Sequence, residues 1–330
     1  MKYRTLGQTG MQVSCLCLGT LTFGGEADEQ SCAEMFHLCR EAGINFYDTA
    51  DVYNDGRAEE ILGKLIAGCR DEIVLSSKVF FPTVKAEVSG GHSRRHIMLA
   101  VEATLKRLKT DRLDLYFLHT FDPRTAMEEP LRALDALVQQ GKILYPAVSN
   151  WAAWQIAKAL GISDRHGWAR FACIQPLYNL VKRQAEVEIL PLAQAEQLGV
   201  ITYNSVGGGL LTGKYGTSAR PERGRLVDNI LYTKRYEDPL NFEVAERFTA
   251  HARKQGFPPA ALAVAWVMSH PAVTAPIVGA RTPEQLKVLF EAVDIPMTPE
   301  WRQEISALSK EPPPVTDRSE EKARIFYGPR

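Results

Sequence analysis

The six cysteines include no CxxC pair, and none stands at metal-ligand spacing from a histidine. The usual zinc and dithiol-redox frameworks are therefore missing, and Cys15, Cys17, Cys32, Cys39, Cys69 and Cys173 read as reduced core thiols. No run approaches the ~18 apolar residues of a membrane span. The N-terminal MKYRTLGQTG holds no apolar signal core. Both absences lead to the expectation of a soluble, cytoplasmic protein. An excess of one charge is missing too. The chain has 39 Lys and Arg against 39 Asp and Glu, which gives no electrostatic case for nucleic acid or an anionic membrane. No GxGxxG opens the first helical pattern, so the Rossmann dinucleotide fingerprint is absent. There is no low-complexity tract and no domain linker.

What is present is alternation. YRTL and MQVSCL flank the turn-rich GQTG and read as a hairpin. After it come eight apolar, strand-like runs: CLCLGT, INFYDT, EIVLSSK, RLDLYFLH, ILYPAVSN, FACIQP, VITYNS and VTAPIVG. Most are followed by an amphipathic, helix-like segment. The exception is the seventh, which leads into a long Gly- and Arg-rich loop. Gly43, Gly68, Gly141, Gly161 and Gly199 stand where helices are expected to end. An open doubly wound sheet would alternate similarly, but eight units favour a closed (β/α)8 TIM barrel with an N-terminal β-hairpin and extra helices and loops at its C-terminal end. On this reading residues 1–330 form a single barrel domain. Residues 1–16 are the hairpin, 206–238 an insertion over the barrel mouth, and 309–330 a proline-broken tail. The tail's Ile325-Phe326-Tyr327 cluster is a candidate to fold over the mouth, with a solvated tail as the alternative.

Four polar residues stand at or just beyond the ends of three of these runs: Asp48 and Tyr53 in NFYDTADVYNDG, Lys78 in IVLSSKVF, and His119 in LDLYFLHTFD. A parallel barrel places the residues that close its strands at one rim. A phenol, an ammonium, a carboxylate and an imidazole together suit proton transfer to a carbonyl oxygen. A lysine ammonium ~4 Å from a phenolate stabilises it by ~4 kcal/mol at an effective dielectric of 20. At ~1.4 kcal/mol per pH unit, that lowers the Tyr53 pKa by at most ~3 units. Asp48 fixes the lysine and cancels part of its field. His119 would hydrogen-bond the carbonyl oxygen or share its proton.

Over Lys2 to about Val293 the chain resembles the aldo-keto reductases, most of all the longer bacterial-type branch that includes potassium-channel beta subunits. The matching stretches include NFYDTADVYNDGRAEEILGKLI, HSRRHIMLAVEATLKRLKTDRLDLYFLH, LVQQGKILYPAVSNW, GGGLLTGKY and PIVGARTPEQL. The resemblance implies that Asp48, Tyr53, Lys78 and His119 are a catalytic tetrad with Tyr53 as general acid. It also implies a nicotinamide cofactor, NADP(H) in preference to NAD(H), extended across the mouth. Ser149, Asn150 and Gln175 match residues that hold the carboxamide. Tyr203 matches an aromatic ring stacked on the nicotinamide, and Gly19, Thr20 and Asp48 lie beside that ring. The loop Gly209 to Lys214, with Leu211, matches the segment under the pyrophosphate, and Asn204, Ser205 and Arg225 are further cofactor-binding positions. Val278, Gly279, Ala280, Arg281 and Gln285 surround the adenosine phosphate, where a helix N-terminus near Thr282-Pro283 supplies free N–H groups.

The chain departs from the family pattern at Asn204-Ser205-Val206, where Ser-Pro-Leu is common. It departs again at Leu289, where an asparagine often serves adenine, and at Pro146, which leads to the expectation of a bulge beneath Ser149. None of these touches the tetrad. The function implied is NADPH-dependent reduction of an aldehyde or ketone to an alcohol, as a carbonyl reductase or alcohol dehydrogenase. The alternative is a redox-sensing NADPH-binding regulatory subunit with slow turnover. A metal-dependent barrel hydrolase would need more ligands than Asp48 and His119. The expected partner is a small-molecule carbonyl substrate, with a homo-oligomer left open. Phe23 to Ala27, Phe80 to His92, Phe121 to Thr125 and the insertion after Gly213 are the candidate substrate loops. Phe23, Phe80, Phe81, Phe121 and Trp151 are candidate pocket walls, and His92, Arg94 and Arg95 are candidate attractors of an acidic or phosphorylated substrate. Replacing Arg281 with alanine is expected to weaken NADPH binding much more than NADH binding, read by fluorescence titration; equal losses for both would move the 2′-phosphate site elsewhere.

Overall fold

The computed structural model describes residues 1–82 and 90–316. The Ile325-Phe326-Tyr327 cluster and part of the Phe80–His92 loop lie outside the described residues. Strands β1 (Tyr3–Thr5) and β2 (Gln12–Ser14) pair antiparallel as the N-terminal hairpin. Eight further strands follow: β3 (Cys17–Gly19), β4 (Phe46–Asp48), β5 (Val74–Val79), β6 (Leu113–Leu118), β7 (Ile143–Ser149), β8 (Cys173–Gln175), β9 (Gly199–Thr202) and β10 (Ala275–Val278). They close into an all-parallel barrel in chain order, with β10 returning to β3. The protein is a (β/α)8 TIM barrel.

Both faces of each barrel strand are covered, so the strands read as continuous apolar runs rather than alternating ones. Period-2 alternation still sorts their side chains. Leu115 and Phe117 of β6 join Cys17, Phe46, Ala147, Cys173, Ile201 and Ala275 in a core inside the barrel. Tyr116 and Leu118 instead pack outward with the helices. The main outer helices are α1 (Glu29–Glu41), α2 (Arg57–Leu65), α3 (Arg94–Leu108), α4 (Glu128–Gln139), α5 (Ala153–His166) and α6 (Ile189–Ala195). Local chemistry sets their starts. Asp28 Oδ1 accepts the Ser31 N–H at 2.8 Å for α1, and Ser93 Oγ accepts the His96 N–H at 3.2 Å for α3.

Four expectations need correction. Gly161 lies inside α5, which ends instead at Gly167 with φ 65°. Gly68 lies three residues beyond the end of α2 and does not take the left-handed conformation of a cap. Gly199 opens β9 rather than capping α6; beyond that helix, Gln197 takes the left-handed turn at φ 54°. Pro146 makes no bulge, because the β6–β7 register advances residue by residue through Tyr145, Pro146, Ala147 and Val148. The Pro146 carbonyl accepts the Ala172 N–H at 2.9 Å, so its missing donor faces chain that enters β8 only at Cys173.

Between β9 and β10 the chain adds α7 (Arg225–Asp228), α8 (Ile230–Arg235), α9 (Pro239–Lys254) and α10 (Pro259–Met268). After β10 come α11 (Pro283–Phe290) and α12 (Pro299–Ser306). No helix among the described residues is long and apolar enough to cross a membrane. Cys69 is half-buried, the other five cysteines are buried, and all six are free.

The hairpin plugs the N-terminal end of the barrel. Leu6 and Val13 are wholly buried in the inner core. The turn approaches so closely that only glycine fits at position 7. Its φ is +51°, and a Cβ there would meet Gly199 N at 2.6 Å, Gln197 O at 2.9 Å and Ala172 O at 3.1 Å, all backbone atoms. Gly7→Ala should therefore lower stability by roughly 3 kcal/mol or more, read as a fall in the denaturant midpoint; an unchanged midpoint would mean the plug is not seated this tightly.

Candidate active site

The C-terminal ends of the strands carry the polar residues. Parallel register sets Asp48 opposite both Gly19 and Ser76, Lys78 opposite Phe117, and Ser149 opposite Gln175. Lys78 is completely buried. Its Nζ donates to Asp48 Oδ2 at 2.6 Å, to the Thr49 carbonyl at 2.7 Å and to Tyr53 Oη at 3.3 Å. The other Asp48 oxygen accepts from Ser76 Oγ at 2.7 Å and from Gln175 Nε2 at 3.0 Å. Tyr53 is brought back toward the rim by a tight turn in which Asn54 and Asp55 take φ of 49° and 54°. His119 stands edge-on to Tyr53 with ring centroids 6.1 Å apart.

Burial pushes the Tyr53 phenol above its ordinary value. Lys78 pulls it down and Asp48 pushes it back up. The expected depression does not occur, because loss of hydration outweighs the ammonium field. Burial also pulls the Lys78 ammonium down, but Asp48 and Tyr53 outweigh it and hold the lysine charged. Burial, with the charge of Lys78, lowers His119 to about 3, so its imidazole is neutral. The His119 Nδ1 is buried and has no hydrogen-bond partner among the described residues.

These groups lie at the floor of a cleft of about 990 Å³. At one end are Ser149, Asn150, Gln175 and Tyr203. Asn150 takes φ 57°, donates from Nδ2 to the His119 carbonyl at 3.0 Å and accepts from Tyr203 Oη at 2.7 Å. The other end is cationic. Lys214, Arg225 and Arg281 line it with the single carboxylate Glu26. Glu26 lies 3.2 Å from Arg225 and 3.6 Å from Arg281. Burial and the two arginines hold the Lys214 ammonium below its ordinary value. The start of α11 lies beside them, with Pro283 at its first turn and Thr282 Oγ1 accepting the Gln285 N–H at 3.4 Å.

Most residues singled out from sequence thus meet in one cleft: Gly19, Asp48, Tyr53, His119, Ser149, Asn150, Gln175, Tyr203, Asn204, Ser205, Gly209, Lys214, Arg225, Val278, Gly279, Ala280, Arg281 and Gln285. Lys78 lies just beneath its lining, bonded to two of its members. Thr20 and Leu211 do not line it. Thr20 is buried with its hydroxyl on the Asp48 carbonyl, 3.1 Å away, and Leu211 packs in the core. Of the proposed walls only Phe81 lines the cleft; Phe23 and Trp151 are buried elsewhere, and Phe121 packs edge-on against Trp151. His92, Arg94 and Arg95 stand outside it. Sequence reasoning missed Glu26, Tyr232 and Arg235, which do line it. The only signal for the last two was the abundance of Arg and Tyr in the insertion.

A closed parallel barrel with its polar groups gathered in a cleft at the C-terminal rim defines the architecture of a barrel enzyme. The Aldo/keto reductase family profile matches residues 15–310, and the chain belongs to that family. It is 35% identical over 312 residues to the uncharacterized oxidoreductase YrpG of Bacillus subtilis, covering 91% of this chain and 93% of that protein. It is also 35% identical over 308 residues to a probable voltage-gated potassium channel subunit beta of Arabidopsis thaliana, covering 89% and 92%. A rice protein with the same description is 34% identical over 328 residues, covering 96% and 99%. Family and relatives support a general oxidoreductase role.

One buried imidazole, two partly buried ones and one buried carboxyl set the acid response of the fold. Burial lowers His119 to about 3, and His92 and His270 to about 4. It raises Asp51, with help from Glu59, to about 8. Between about pH 4 and the ordinary histidine value of about 6.5, the unfolded chain binds protons on the histidines that the folded chain does not. Over that window stability is expected to rise with pH. Asp51 has the opposite sign, since the folded state keeps its proton longer, so its contribution is lost as pH rises toward 8. Denaturant midpoints against pH should therefore peak near 6.5; a monotonic rise from 4 to 8 would contradict this balance.

Proposed function

We propose that the protein is an NADPH-dependent reductase of aldehydes or ketones. The observation that carries this reading is Tyr53 Oη held 3.3 Å from the buried Lys78 ammonium on the floor of the cleft. A nicotinamide dinucleotide fits the residues present. Cations at one end match phosphates, and the amides of Asn150 and Gln175 at the other match a carboxamide. Ser205 Oγ and His119 Nδ1 are buried polar atoms without hydrogen-bond partners among the described residues. At Gly19 a Cβ would meet Ile277 Cγ2 at 2.5 Å, so the backbone there stays bare for close approach. Lys214, Arg225 and Arg281 would hold the phosphates, with Arg281 on the 2′-phosphate, and residues 206–238 would cover them. Tyr203 would stack on the ring, with Ser149, Asn150 and Gln175 on its amide.

When bound, the reduced cofactor supplies a hydride to the carbonyl carbon. The protein's own part is the proton. Tyr53, kept protonated by burial, donates to the carbonyl oxygen as negative charge develops there. Lys78 stabilises the phenolate left behind. Asp48 holds Lys78 in place, and Ser76 and Gln175 hold Asp48. Neutral His119 would hydrogen-bond the same oxygen and would not carry the proton across physiological pH.

The second reading is a regulatory subunit that binds the cofactor and turns over slowly. It is favoured by the names of the plant relatives, which are potassium-channel beta subunits. Tight NADPH binding with slow release and no oxidation by any aldehyde would favour it. For the reductase, Tyr53→Phe should cut kcat by about 10²- to 10⁴-fold while NADPH affinity stays within about threefold of wild type. Full reductase activity in that variant would remove Tyr53 from the chemistry.

A further inference from the structure

Arg235 closes α8 and lines the cleft between Tyr203 and Tyr232. Its guanidinium carbon lies 6.0 Å from the Tyr203 ring centroid and 5.1 Å from that of Tyr232. Among the described residues it donates no hydrogen bond and meets no carboxylate. Its neighbour Lys234, by contrast, pairs with Glu237 at 2.9 Å.

Among the described residues the cleft lining contains two carboxylates. Asp48 is committed to Lys78, and Glu26 to Arg225 and Arg281. The acids of the cleft are therefore used up before Arg235 is reached. Two aromatic faces offset part of the desolvation of a guanidinium, but they leave its forked donors unused. Those donors fit a carboxylate or phosphate through two parallel bonds.

The Tyr232 ring also meets the Arg225 guanidinium of the cationic end, at 5.3 Å. Tyr203 links Arg235 to the catalytic end. Tyr203 bonds Asn150, and Asn150 bonds the His119 carbonyl.

We propose that Arg235 is a specificity-determining residue that pairs with an anionic group on the substrate, so that the preferred substrate is a carbonyl compound carrying a carboxylate or phosphate. This rests on the reductase reading. It also relocates the acid-attracting role expected of His92, Arg94 and Arg95. His92 is buried against Phe80 and Trp151, and Arg94 and Arg95 lie outside the cleft.

The test compares 4-carboxybenzaldehyde with its neutral methyl ester in the wild type, Arg235→Lys and Arg235→Met. The wild type should favour the carboxylate in kcat/KM by about tenfold to a hundredfold. That preference should collapse toward one in Arg235→Met and persist in part in Arg235→Lys. Activity on the ester and NADPH affinity should stay within about threefold of wild type. A wild type without the preference would overturn the proposal. So would equal losses on both aldehydes, or an NADPH affinity that falls more than tenfold, which would assign the guanidinium to the cofactor. If neither aldehyde is turned over, the reductase reading fails on its own. The anion subsite then stands or falls by binding: 4-carboxybenzaldehyde but not the ester should quench tryptophan fluorescence in the wild type, and Arg235→Met should lose that response.

Discussion

The buried ion pair of Lys78 and Asp48 is the constraint around which the rest of the site is arranged. Two charges taken out of water are unfavourable unless every donor and acceptor is satisfied. Here the lysine's three donors go to Asp48, the Thr49 carbonyl and Tyr53, and the second Asp48 oxygen accepts from Ser76 and Gln175. These partners come from β4, β5, the turn after β4, and β8, on opposite parts of the barrel. Closure of the sheet and satisfaction of the pair are one event, and removing either charge would leave the other stranded. Tyr53 is the one phenol among the lysine's partners, and it lines the cleft.

Electrostatics divides the cleft into two territories. The cationic end, with Lys214, Arg225 and Arg281 held by one carboxylate, carries a surplus of positive charge that suits phosphates. The catalytic end is aromatic and amide-rich, with Arg235 unpaired among the described residues. A dinucleotide and a small acid would then compete for neither territory, because each finds its own cations.

The barrel and its polar rim were legible because parallel strands buried on both faces make short apolar runs, and the residue that ends such a run must face the mouth. Asp48, Lys78 and His119 follow from that alone. Tyr53 was legible as well, five residues past Asp48 on the same strand-end loop, although nothing in the apolar pattern announces the two left-handed residues that follow it. The rise in the Tyr53 pKa was hidden because a sequence states which charges are near but not how much water is lost. Helix α10 was passed over because PAALAVAWVM is apolar on all sides and shows no 3.6-residue period. Arg235 and Glu26 were missed because short irregular segments place their side chains by tertiary packing, which leaves no spacing to read. Gly161 and Gly199 misled for a related reason: glycine serves caps, helix interiors and close approaches alike.

The hairpin seated in the N-terminal end separates two duties along one axis. Leu6, Gly7 and Val13 hold the barrel together at the bottom, and none of the three lines the cleft. The insertion between β9 and β10 supplies much of the wall at the top without forming a barrel strand. Change at one end is thus insulated from the other. Lineages built on this plan can rewrite what the mouth accepts while the seal keeps the chain folded, and can harden the seal for a hotter habitat without retuning the chemistry.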